Sequence, residues 1–231
     1  MRGIRVAKKH KVAPPGSKPC SIAILIVQRD SALGLKQLLT SMQDSVEPFS
    51  CPIYIMDDHS RPEFLMEIEK LTVDYGLTLL THSAQAGKKN ALQEALILIP
   101  EEYIIQLDAD VCVSPSFGGH ILKAIQNERP DLVVARVSMN ASTNVWSRLG
   151  ALDHFSLQLV TFSSLEQGHA LMAAGAAMAY RRESHLKNNS IGSEWASGED
   201  TFYAQTLGQK RESKITALPE AVVYTAAPQN F

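Results

Sequence analysis

Uninterrupted apolar runs alternate with stretches of helical periodicity from residue 21 onward. SIAILIV (21–27) is the pattern of a central strand covered on both faces. Leu35, Leu38, Leu39 and Met42 follow at helical spacing and predict a crossover helix. PIYIM (52–56) predicts a second strand, which runs into Asp57 and Asp58. A helix is predicted over 62–74 with Phe64, Ile68 and Leu71 on one face, and LTLLT (77–81) predicts a third strand. Ala86-Gly87-Lys88-Lys89-Asn90 then opens a helix that turns Leu92, Leu96 and Ile99 inward. The stretch YIIQLDADVCV (103–113) starts as a short apolar run, bounded by Ser114-Pro115, and reads as a buried fourth strand. A helix around 115–127 and a strand over 131–137 follow. Strand and helix alternating at this spacing predict right-handed βαβ units, hence an α/β fold with a mostly parallel sheet.

Past residue 140 the pattern changes. Leu152, Phe155, Leu159 and Phe162 predict a long helix over 145–166, and a small-residue strand or turn is expected around Gly175. TFYAQTL (201–207) predicts a helix whose first turn carries Glu199 and Asp200, where acids also serve the macrodipole as caps. Strand-like segments at 214–218 and 221–228 close the pattern.

Composition narrows the class. With 231 residues, 45% hydrophobic and 20% charged, the chain can bury a sizeable core. No stretch approaches the roughly 18 apolar residues of a membrane span, and no apolar secretion signal opens the chain. Cys20, Cys51 and Cys112 lack metal spacing, and Cys51 and Cys112 lie in or beside strand patterns, which favours reduced, buried thiols and a cytoplasmic setting. Charge is uneven. Residues 1–20 carry six basic side chains and no acid, so subtracting six from the net −2 leaves −8 on the rest. This segment, broken by Pro14-Pro15-Gly16, reads as a flexible basic arm able to touch an anionic membrane at its inner face. Nucleic acid is not expected as a partner.

The candidate chemistry lies at strand ends. Asp108 and Asp110 fall where the fourth strand meets a loop, the edge at which open α/β sheets bind ligands. Two hard oxygen donors one residue apart suit Mg²⁺ or Mn²⁺ shared with a phosphate-bearing substrate; the alternative is a pair of turn-forming acids. No Gly-x-Gly-x-x-Gly follows the first strand, and Gly87-Lys88 is followed by Lys89-Asn90 rather than Ser or Thr, which argues against a dinucleotide enzyme and a P-loop NTPase. His59 reads as a polar loop residue, and His154 and His169 have no partner at metal spacing. Trp146 and Trp195 flank the second half; core packing is the commoner fate of such residues, with Trp195 a candidate for stacking on a sugar.

Taken in order, Ser21–Arg29, Met56-Asp-Asp-His-Ser60, Ala86-Gly-Lys-Lys-Asn-Ala-Leu92, Leu107-Asp-Ala-Asp110, Gly175–Arg182 and Gly198-Glu-Asp200 resemble the motifs of family 2 glycosyltransferases. The resemblance covers about residues 20–228. It implies a GT-A fold, with a single domain over 21–231 divided into a nucleotide-sugar half (21–113) and an acceptor half (114–231). It implies transfer of a sugar from a nucleotide-diphosphate donor to a hydroxyl of a glycan or lipid-linked acceptor, with inversion, in cell-surface polysaccharide or glycolipid synthesis. Val27, Arg29, Asp57 and Asp58 would hold base and ribose, Lys88 would face the nucleotide or its diphosphate, Asp108 and Asp110 would bind Mn²⁺ or Mg²⁺, and Asp200 would be the base with Glu199 beside it.

Departures from the family pattern are Leu25, where proline is common, and Ala177, where asparagine is frequent; the second bears on acceptor contacts. In membrane-bound processive relatives a Thr-x-x-Pro stretch, here Thr225-Ala-Ala-Pro228, leads to Gln-x-x-Arg-Trp and transmembrane helices. The given sequence reaches Phe231 first, so processivity is not legible and a fragment of such a protein is an open reading. Two other readings stand beside the transferase. A sugar nucleotidyltransferase would carry a Gly-rich loop where Gln28-Arg29-Asp30-Ser31 stands; a non-catalytic nucleotide- or glycan-binding module has no need of Asp108, Asp110 and Asp200 together.

Overall fold

The computed structural model describes residues 20–46, 49–82, 87–188 and 198–229. The basic arm and Trp195 lie outside them. Four parallel strands, β1 (Ile22–Gln28), β2 (Ile53–Asp57), β3 (Thr78–Thr81) and β4 (Tyr103–Asp108), lie side by side in the order β3-β2-β1-β4. Every residue of β1 is buried, because helices cover the sheet on both sides. On one side pack α1 (Ala32–Gln43), α2 (Pro62–Tyr75) and α4 (Phe117–Glu128), through Leu35, Leu38, Leu39, Ile68, Phe117 and Ile121. On the other pack α3 (Lys88–Leu98) and α7 (Glu199–Gly208), through Leu92, Leu96, Tyr203 and Leu207. Each such side chain contributes about 1.5–3 kcal/mol through burial.

Local signals set the helix ends. Pro62 starts α2, where its missing N–H costs nothing, and Gly76 at φ 66° ends it in the left-handed conformation glycine tolerates.

The second half departs from a simple βαβ series. The stretch 103–113 is not one strand: β4 stops at Asp108, the chain turns through Ala109 and Asp110, and β5 (Cys112–Val113) joins the far edge of the sheet. The next strand in sequence, β6 (Leu132–Asn140), does not neighbour β4. Between them lies β7 (Ala177–Arg181), antiparallel to both. The 214–218 and 221–228 segments form one strand, β8 (Ile215–Ala226), whose register against β6 shifts as Pro219, Glu220 and Ala221 are skipped. A proline in a strand is confined to such irregularities or edges. The resulting eight-stranded sheet, β3-β2-β1-β4-β7-β6-β8-β5, runs unbroken across residue 113.

Helix α5 (Val145–Glu166) follows the expected bounds but presents its faces unexpectedly. Its buried residues are mainly polar, Ser147, Gln158, Thr161 and Ser164 among them, whereas Trp146, Leu149, Leu152, Phe155 and Leu159 are exposed. Trp146 is therefore not a core residue. The three cysteines are free and half-buried rather than fully buried. The short α6 (Arg182–Asn188), continuous with β7, was not legible in the sequence. Among the described residues no helix is long and apolar enough to cross a membrane.

Candidate active site at the carboxyl edge of the sheet

Parallel pairing brings the ends of β2, β1 and β4 to one edge. Val27 lies opposite Asp108, and Gln28 opposite Asp57. Asp57 is buried and accepts from Gln28 Nε2 and from the Ser60 N–H (3.1 Å). Asp58, also buried, accepts the Gly87 N–H at both carboxylate oxygens (2.8 and 3.1 Å). Gly87 has φ 145°, a backbone setting that favours glycine, so the residue opening α3 is tied to the end of β2. That tie delivers Lys88, whose Nζ donates to Asp108 Oδ1 at 2.5 Å. The pair is partly exposed, so it is worth only about 0–1 kcal/mol. Arg29 is exposed beside Asp30, whose carboxylate accepts the Arg61 N–H (2.8 Å) and Arg61 Nε (3.0 Å). These bonds join the loops after β1 and β2.

Asp108, Asp110 and Asp200 line one cleft of about 380 Å³, together with Val137, Met139, His154, Leu157, Gln158, Met172 and Gly175. The Asp108–Asp110 turn is wedged against α1: a Cβ on Gly34 would fall 2.8 Å from the Ala109 carbonyl oxygen. Only a residue without a side chain lets helix and turn approach this closely. Across the cleft, Asp200 Oδ2 accepts the Gly175 N–H (2.6 Å) and Oδ1 accepts the Thr201 N–H (2.7 Å). Gly175 is held in turn by Gln106, whose Nε2 donates to the Gly175 carbonyl (3.0 Å) while its Oε1 accepts from the Tyr180 hydroxyl (2.9 Å). Burial first, with Tyr203 and Glu199 adding to it, pushes the Tyr180 phenol well above its ordinary value, so it remains a donor. A chain of bonds thus runs from the core of β4 to Asp200.

The sequence-derived candidates fall into two groups. Asp108, Asp110 and Asp200 meet in the cleft, with Lys88 attached through Asp108. Val27, Asp57 and Asp58 follow along the same sheet edge outside the cleft lining. Glu199 is buried in the first turn of α7 and does not line the cleft. Gln106 was missed, though a single polar residue in the apolar run YIIQL is its signal. His154 was set aside for want of a metal partner, yet it lines the cleft with Nε2 3.2 Å from the Val137 carbonyl oxygen.

Two carboxylates on a strand-exit turn, partly exposed and facing a cleft, fit a hard divalent cation by donor chemistry. A third carboxylate on a separate element, fixed by backbone N–H groups, retains lone pairs with which to accept a proton.

The sequence model described as Glycosyl transferase family 2 matches residues 21–187. Beta-monoglucosyldiacylglycerol synthases of Trichormus variabilis and Nostoc sp. are 29% identical over 149 residues, which is 62% of this chain and 31% of theirs. The chain thus matches under a third of the length of these relatives. Among solved structures, the mannosyltransferase PcManGT from Pyrobaculum calidifontis, in complex with GDP-Man and Mn²⁺, superposes with a TM-score of 0.64 at 16% identity, covering 96% of this chain and 61% of that one. S. aureus TarS 1-349 in complex with UDP-GlcNAc gives 0.59 at 18% identity, covering 91% and 60%. The α/β sheet is that of the GT-A glycosyltransferases, and with residues 21–187 matched by the family model the chain belongs to glycosyl transferase family 2.

Proposed function

We propose that this chain transfers a glycosyl group from a nucleoside-diphosphate sugar to an acceptor hydroxyl in a single inverting displacement. The observation that carries the reading is the convergence of Asp108 and Asp110 from β4 with Asp200 from α7 on one cleft. The acceptor O–H gives its proton to Asp200 as its oxygen attacks the anomeric carbon. The bond from that carbon to the diphosphate breaks, and the leaving group takes the electron pair. Asp108 and Asp110 would hold Mn²⁺ or Mg²⁺, which when bound supplies charge neutralisation for the departing diphosphate. Lys88 can turn from Asp108 to the diphosphate at little cost, because its exposed pairing is weak. Val27, Arg29, Asp57 and Asp58 line the donor's base and ribose side in this reading. Glu199 supports the start of α7 rather than contacting the acceptor.

A nucleotide-sugar donor is supported by the GDP-Man and UDP-GlcNAc complexes of the structural neighbours, and a lipid-linked acceptor by the glycolipid synthases matched in sequence. The wall of Val137, Met139, Leu157 and Met172 gives the cleft an apolar side suited to such an acceptor. The same helix that supplies Leu157 carries the exposed Trp146, Leu149, Leu152 and Phe155, so α5, aided by the basic arm, would rest on a membrane from which a lipid acceptor enters. The test is a transfer assay by mass spectrometry, pairing UDP- and GDP-sugars with diacylglycerol, glycolipid and oligosaccharide acceptors. Product from one pair, abolished in Asp200→Asn, supports the reading; donor binding without transfer to any acceptor in the presence of Mn²⁺ counts for a binding module instead.

A further inference from the structure

A second group of potential metal ligands lies outside the cleft. Asp58, His59 and His82 each offer one donor atom, and the three atoms lie within 4.8 Å of one another. They come from two loops, after β2 and after β3, and nothing in their spacing along the chain announces the group. Two of the three are shielded from water: the side chain of His82 is wholly buried and that of Asp58 is 7% exposed. The rings of His59 and His82 meet edge to face, with centroids 5.3 Å apart. His59 Nδ1 stands 3.5 Å from Asp58 Oδ1, and His59 is one of the few non-glycine residues with a left-handed backbone, φ 59°.

We propose that Asp58, His59 and His82 form a binding site for a first-row transition ion of the Zn²⁺ class, separate from the cation site of Asp108 and Asp110. Two imidazole nitrogens and one carboxylate oxygen are a donor set that Zn²⁺ takes in tetrahedral geometry, leaving one position for water or another ligand. Bonds of about 2.0–2.1 Å would bring the donor atoms somewhat closer together than they stand, a movement that His59, the most exposed of the three, can supply. Two further features match a metal centre. Glu94 Oε2 lies 2.5 Å from His82 Nδ1, a carboxylate-to-imidazole contact of the kind that fixes the orientation of a ligand ring. Asp58 is pinned by the Gly87 N–H, so its carboxylate is already oriented. In contrast, Asp108 and Asp110 provide only oxygen donors, which suit the harder Mg²⁺ and Mn²⁺. Because Asp58 also lies on the proposed base side of the donor site, an ion there would share this carboxylate with the nucleotide. The inference itself stands on the ligand geometry and does not depend on the transfer reaction.

The test is calorimetric titration of ZnCl₂ into tag-free, EDTA-treated full-length chain, with Co²⁺ as a spectroscopic substitute. One equivalent of Zn²⁺ should bind with an affinity unchanged in Asp110→Ala and lowered at least tenfold in His59→Gly. Glycine suits the left-handed backbone at position 59, so this variant keeps the fold, and circular dichroism verifies it. Co²⁺ should give the intense visible bands of a tetrahedral nitrogen and oxygen site, lost in His59→Gly and weakened in Glu94→Gln. Absence of Zn²⁺ binding by the wild-type chain, or binding lost in Asp110→Ala but unaffected in His59→Gly, overturns the proposal.

Discussion

Asp200 and Glu199 are adjacent acids with different surroundings. Asp200 faces the cleft with both oxygens oriented by backbone N–H groups, whereas Glu199 is buried away from it. Asp200→Asn preserves shape and one of the two accepted N–H bonds but removes the proton acceptor, so kcat should fall by about 10²–10⁴-fold with donor affinity nearly unchanged. Glu199→Gln should change kcat far less. Steady-state kinetics beside nucleotide titrations separates the two. His185 makes a different prediction. It is fully buried against the Tyr180 and Tyr203 rings, with no hydrogen-bond partner at either ring nitrogen among the described residues, and burial lowers its pKa to about 3. The unfolded chain therefore takes up this proton first, near the ordinary value of about 6.5. The stability that neutral His185 preserves is complete above that pH and is lost as pH falls towards 3, by about 1.4 kcal/mol per unit. Urea denaturation from pH 7 to 4.5 should show this slope, and it should be absent in His185→Phe.

At the level of elements, the approach of α1 to the Asp108–Asp110 turn is the tightest constraint on the cleft. Gly34→Ala would press a methyl group against the Ala109 carbonyl oxygen and Ser31 Oγ, both 2.8 Å away. It should cost about 1–3 kcal/mol in stability and weaken Mn²⁺ affinity by displacing the turn, as denaturation and metal titration of the same variant would show. The sequence made β1, β2 and β4 legible because strands buried in a parallel sheet must be continuous apolar runs, and α1 to α3 because each shows one apolar stripe; β3, at the sheet edge and only partly buried, shows as the short run LTLLT. It could not reveal that β7 enters the sheet between β4 and β6, since AMAYR resembles many small-residue segments and its neighbours are set by long-range pairing. Nor could it reveal the inverted faces of α5, whose polar side lines the cleft and whose apolar side lies open. Asp108, Asp110 and Asp200 stood out as acids at element ends. The Gln106–Gly175 support for Asp200 depends on two segments 69 residues apart and emerges only in three dimensions.

For the whole molecule, the proposed function joins the sheet edge, the cleft and the open face of α5 into one surface. Its apolar character makes a measurable claim: binding to liposomes should fall at least tenfold in Leu152→Glu/Phe155→Glu, both at exposed positions, with the melting temperature nearly unchanged. Equal sedimentation of the variant and the original chain would remove α5 from the membrane contact. The central claim, a nucleotide-sugar site completed by Asp108 and Asp110, is tested most directly by the melting temperature with UDP, GDP, CDP and dTDP, each with and without Mn²⁺, on this chain and on Asp110→Ala. A nucleotide at a hundredfold excess over its Kd should stabilise the fold by about 2.7 kcal/mol. The account predicts a Mn²⁺-dependent rise for one nucleotide that disappears in Asp110→Ala; no rise with any of the four, or a rise equal in both proteins, would contradict it.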